Sequence, residues 1–122
     1  MAIDQSTNTD LLTELQWRKI LAVRVSADFE TGTRRSWRRY PVVGEVKAHY
    51  QIDEEPRRRS WDIMTGSARG LTLRSEDELP LGTKLSLQVV LEEGTFPAMG
   101  VVMHCTQTLG GFKLGVQFNF AS

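Results

Sequence analysis

After Pro41 the chain changes to a period of two. Val42, Val46, Ala48, Tyr50 and Ile52 are apolar at even positions, while Glu45, Lys47, His49, Gln51 and Asp53 are polar at odd ones. Successive side chains of a β-strand point to opposite faces, so this pattern is a strand with one face on a core and the other in water. The alternation returns at Leu85, Leu87, Val89 and Leu91, and again at Phe112, Leu114, Val116, Phe118 and Phe120. Trp61, Ile63 and Met64 mark a second strand, and Leu71 and Leu73 a short third one. Ala98–Cys105 is apolar on both faces and reads as a centrally placed strand. Asp53–Arg58, Leu81-Gly82-Thr83, Glu92-Glu93-Gly94 and Gly110-Gly111 supply the turns. Six short strands at this spacing predict an all-β antiparallel barrel or sandwich, and 122 residues suffice for one such domain.

The first 32 residues differ in character. Residues 1–9 are polar and are expected to be frayed. A short helix is predicted from Asp10, with Thr9 or Asp10 as N-cap and Leu11, Leu12 and Leu15 on adjoining positions. Leu21, Val23 and Val25 alternate as a strand would, which limits its length, and residues 26–33 read as a linker. The predicted division is therefore 1–32 for tail, helix and linker, and 33–121 for the barrel.

Composition narrows the function. No apolar run approaches the roughly 18 residues of a membrane-spanning helix, and MAIDQSTNTD has neither the basic nor the apolar region of a signal peptide. No membrane insertion is expected. The single cysteine, Cys105, excludes an internal disulfide, suits a reducing cytoplasm, and is expected to be a small buried side chain in a strand. His49 and His104 lie in separate predicted strands without metal-ligand spacing. No nucleophile elbow, phosphate-binding Gly-Lys loop or dinucleotide fingerprint is present. Neither catalysis nor a cofactor is expected.

The formal net charge of zero conceals an asymmetry. Ten of the fifteen Lys and Arg residues lie between Arg34 and Arg74, nine of them Arg, whereas only Lys84 and Lys113 follow Ser75. Such a chain is not built to coat nucleic acid, but it can present one focused anion-binding surface. The densest segment is Thr33-Arg34-Arg35-Ser36-Trp37-Arg38-Arg39-Tyr40-Pro41. Arginine's planar fork makes paired hydrogen bonds to phosphate oxygens or to the O6/N7 edge of guanine. Pro41 biases Tyr40 toward extended backbone, so a loop entering the first strand fits better than a helix. A second segment, Thr65-Gly66-Ser67-Ala68-Arg69-Gly70, joins small residues and a hydroxyl in what reads as a tight turn. Taken singly, each segment reads more readily as structure than as a ligand site: a solvated basic loop, and a plain glycine turn.

Together and in this order, the two segments resemble the PilZ domain family. That family pairs an Arg-x-x-x-Arg loop with Asp/Asn-x-Ser-x-x-Gly on a six-stranded barrel. Here the motifs are Arg35-Ser-Trp-Arg-Arg39 and Thr65-Gly-Ser-Ala-Arg-Gly70, with Phe112-Lys-Leu-Gly-Val-Gln-Phe118 similar to the family's closing strand. The resemblance covers roughly residues 33–121. It implies a six-stranded antiparallel PilZ-type β-barrel carrying a short N-terminal helix, and a receptor or adaptor for cyclic di-GMP. Arg35 and Arg39 would grip guanine edges and phosphates, while Ser67 and Gly70 would line the barrel side. Arg34 matches an arginine that accompanies an intercalated ligand dimer, and Arg38 is either a further phosphate contact or a solvated residue. Trp37 is expected to pack on the barrel rim. A protein effector is implied downstream. Thr65 departs from the family's Asp or Asn and removes an acceptor for guanine N–H groups. This sustains the alternative of a protein-interaction module that has lost nucleotide binding. A barrel for single-stranded nucleic acid is disfavoured by the net charge.

Overall fold

In the computed structural model, residues 11–24 and 39–121 are described. One helix, α1 (Glu14–Ala22), precedes six strands: β1 (Gly44–Ile52), β2 (Glu55–Ser67), β3 (Gly70–Ser75), β4 (Lys84–Leu91), β5 (Gly94–Thr108) and β6 (Gly111–Asn119). The strands close into an antiparallel barrel in the order β1-β2-β3-β6-β5-β4, with β4 returning to β1. Closure pairs every strand on both sides and leaves no open edge. The predicted all-β class, strand number and short helix match this architecture.

The alternating residues fill the barrel. Val46, Leu73, Leu85, Leu87, Val89, Val102 and Leu114 are essentially inaccessible, while the residues between them face water. Strands consecutive in sequence are joined by tight turns except β3 and β4, between which residues 76–83 cross one end of the barrel and bury Leu79. At that end Arg59 donates to Asp77 at 2.6 Å, and Tyr50 stacks on Trp61 with centroids 5.8 Å apart.

The opposite end is closed by α1. Thr13 caps the helix: its hydroxyl accepts from the Gln16 N–H, and the Gln16 side chain accepts from the Thr13 N–H. This reciprocal pair satisfies two helix-end donors. Trp17, Ile20 and Leu21 are buried, Trp17 completely. Its indole meets Phe118 edge-on at 5.1 Å and donates Nε1–H to the Ser67 carbonyl at 2.6 Å. Arg24 anchors the helix C-terminus through two bonds to Glu93 (2.8 and 3.0 Å) and one to the Ile20 carbonyl. The guanidinium beside Glu93 holds that carboxyl below its usual range.

Several local expectations change. The N-cap is Thr13 and not Thr9 or Asp10, because Leu12 is already committed to the barrel: its N–H donates to the Pro97 carbonyl and its carbonyl accepts from Ala121. Leu15 is exposed and Leu21 lies within the helix, so the apparent strand alternation there does not form. The polar tail 1–9, Val25 and the linker 26–33 lie outside the described residues. The Asp53–Arg58 turn contracts to Asp53-Glu54, both at positive φ as a two-residue hairpin turn requires, and β2 begins at Glu55. The last hairpin turns at Leu109-Gly110, with Gly111 already in β6. Cys105 is half-buried against the core. β5 has no central position in a closed barrel, and its apolar outer residues Met99 and Met103 are exposed.

Removing the indole that seals the barrel should be costly. Trp17→Ala is expected to lose about 3–5 kcal/mol of unfolding free energy in urea melts of the full chain, and a loss below about 1 kcal/mol would show that α1 does not seal the barrel.

Candidate functional site

The second motif sits where β2 changes phase. Asp62 pairs with Arg74 and Ile63 with Leu73, but the next pairs are Thr65 with Thr72 and Gly66 with Leu71. Met64 is therefore an extra, bulged residue. Without it Thr65 would follow Ile63 inward; with it, Gly66 turns in and Thr65 and Ser67 turn out. Gly66 faces the core so closely that a Cβ would meet Val42 Cγ2 at 2.9 Å and Trp17 Cζ2 at 3.2 Å. Its backbone exchanges two hydrogen bonds with Tyr40, at 2.7 and 2.9 Å. That bridge sets Arg39 beside the outward face of β2.

The predicted turn Thr65–Gly70 is mostly strand: Thr65, Gly66 and Ser67 still belong to β2, and only Ala68 and Arg69 turn the chain. Gly70 starts β3 under a requirement of its own, because a Cβ there would strike the Val116 carbonyl of β6.

The bulge in β2 has a counterpart. In β5, Val102 pairs with Val116 but His104 with Gly115, leaving Met103 as the extra residue. The two shifts align one outward row across four strands: Thr65 on β2, Thr72 on β3, Gly115 on β6 and His104 on β5. Over it lies a groove of about 530 Å³. It is lined by the small residues Gly70, Thr72 and Gly115 and by Met64 and Met103. Arg39, Arg69 and Lys113 line it, and among the described residues no Asp or Glu does. Asp62 is exposed one row away, opposite Arg74.

Of the residues singled out in the sequence, Arg39, Thr65, Ser67 and Gly70 meet in this groove. Arg34, Arg35, Trp37 and Arg38 lie outside the described residues. The residues not anticipated are Thr72, Arg69 and the whole β5–β6 wall. The alternation of Lys113, Gly115 and Gln117 on β6 was the available signal for that wall. A slightly larger hollow, about 590 Å³, lies at the other end of the barrel, against His49, Tyr50, Gln51, Pro56, Arg57 and Arg58. It holds none of the motif residues. Burial raises the Tyr50 phenol's pKa there, while the Arg59 guanidinium pulls it down. Among the described residues, no three His, Cys, Asp or Glu side chains gather as metal ligands. No described helix is long and apolar enough to cross a membrane.

Residues 33–122 match the PilZ domain family. The chain belongs to the PilZ domain family. No curated protein matches it. Among solved structures it is similar to the PilZ domain with c-di-GMP of YcgR from Escherichia coli, at 13% identity and a TM-score of 0.52, covering 74% of this chain and 81% of that one. At that identity the likeness concerns the PilZ fold.

Gly70 is the motif position whose identity the PilZ barrel itself demands. Gly70→Ala should cost about 1–3 kcal/mol of stability through the forced parting of β3 and β6. An unchanged thermal midpoint would contradict this.

Proposed function

We propose that this PilZ domain is a cyclic di-GMP receptor, with no catalytic step of its own, that passes ligand binding to a protein effector. The observation that carries the reading is the meeting of Arg39, Thr65 and Ser67 from two separate sequence motifs in one groove that no described acidic side chain lines. The ligand offers two phosphates and two guanines. Arginine forks suit both, whether as a phosphate clamp or on the guanine O6/N7 edge. Arg35 and Arg39 take the principal roles. Ser67 contributes its hydroxyl, and the neighbouring backbone at Gly70 allows close approach. Arg34 extends the site toward an intercalated ligand dimer, and Arg38 adds a phosphate contact.

Transmission follows from connectivity. Residues 25–38 join α1 to the barrel, and the same α1 holds the Ser67 carbonyl through Trp17. Ordering the arginine loop around an anion therefore acts on the helix from both its chain connection and its contact with the site. Hydrogen exchange of residues 26–40 is expected to slow on saturation with cyclic di-GMP; unchanged exchange in the saturated complex would remove this mechanism.

One feature supports a second reading, a PilZ interaction module without nucleotide binding. Thr65 replaces a carboxylate or amide with a shorter hydroxyl, and the loss of one charge-assisted bond costs about 1.5–3 kcal/mol. Isothermal titration decides between the two: the receptor gives saturable heat, whereas silence up to about a hundred micromolar ligand favours the interaction module. Within the receptor reading, Arg35→Ala and Arg39→Ala should each weaken binding by about 1–3 kcal/mol while leaving the fold intact. Thr65→Asp should preserve or raise affinity, and a clear loss would mean that Thr65 does not occupy the motif's first position.

A further inference from the structure

The motif residues occupy one side of the groove, and the other side is built too. On β6, a Cβ added to Gly115 would fall on the His104 imidazole. The ring therefore lies across the strand in the space a side chain at 115 would take. The bulge at Met103 puts it there, by directing His104 outward in register with Gly115, Thr72 and Thr65. His104 is exposed, and its side chain has no hydrogen bond among the described residues. The ring covers the strand glycine and stays exposed on the groove side.

One row away stands a second unfinished feature. Lys113 of β6 and Arg74 of β3 are directly opposite each other and both point outward. Like charges in that position repel; Asp62 faces Arg74 from the other side, on β2, whereas Lys113 forms no ion pair among the described residues. An anion in the groove beside Lys113 offsets that charge. From β2 to β5 the groove spans three interstrand spacings, about 14 Å, wide enough for more than a single nucleotide.

We propose that His104 and Lys113 form a second half-site, in which the imidazole stacks on a purine ring and the ammonium holds a phosphate. This rests on the cyclic dinucleotide reading above and assigns the far half of that ligand to β5 and β6. Gly115 is then a specificity residue, since its missing side chain makes room for the platform.

Titration calorimetry of the full chain with cyclic di-GMP tests this. His104→Ala is expected to weaken binding about 5- to 150-fold, the span of one base-stacking contact, and His104→Phe to restore most of it. Gly115→Ala, which displaces the ring, should weaken binding in the native background and add nothing to His104→Ala. Lys113→Ala should weaken binding and flatten its salt dependence. Native affinity in both His104→Ala and Lys113→Ala would overturn the half-site while leaving the receptor reading intact. Loss in His104→Ala without rescue by Phe would overturn the stacking role. If the native chain itself takes up no ligand, it is the receptor reading that fails.

Discussion

A barrel strand must give every second side chain to the core, and the placement of this site depends on where that rule is interrupted. Met64 adds one residue to β2 and Met103 one to β5. Before each bulge the alternation serves the barrel interior through Trp61, Ile63 and Val102. Beyond the β2 bulge the opposite set of positions turns outward and carries Thr65 and Ser67; the β5 bulge does the same for His104. Two inserted residues thus bring Thr65, Thr72, Gly115 and His104 into one outward row across four strands.

The same segment ties the outer face to the interior. Ser67 presents its side chain outward and its carbonyl to the Trp17 indole, while Gly66 meets the indole carbons and the backbone of Tyr40. In the proposed receptor, a displacement of the β2–β3 turn by ligand would act within one residue on both the helix and Tyr40. The indole also packs edge-on against Phe118 of β6, so the same contact would carry that displacement to the strand on the opposite half of the groove. Interiors packed this tightly respond by switching between arrangements more readily than by stretching.

Much of this was legible in the sequence. The alternations after Val42, Leu85 and Phe112 name the inward faces of β1, β4 and β6, and the paired motifs name the face that β2 presents. What was hidden is what periodicity does not encode. A bulge is one residue of altered pairing that depends on the partner strand, so neither Met64 nor Met103 announces itself. Thr13 wins the helix cap because Leu12 is held by Pro97, a contact 85 positions away. His104 looked like an isolated strand histidine, and only its register with Gly115 places it in the groove.

The central claim is that cyclic di-GMP lies across β2, β3, β6 and β5 at the helix end of the barrel. Backbone amide shifts measured during titration of the full chain test it most directly. The account predicts the largest changes at Thr65–Thr72, at His104 and Gly115, and at Arg39. Changes confined to His49–Gln51 and Pro56–Arg58, around the hollow at the opposite end, would contradict it.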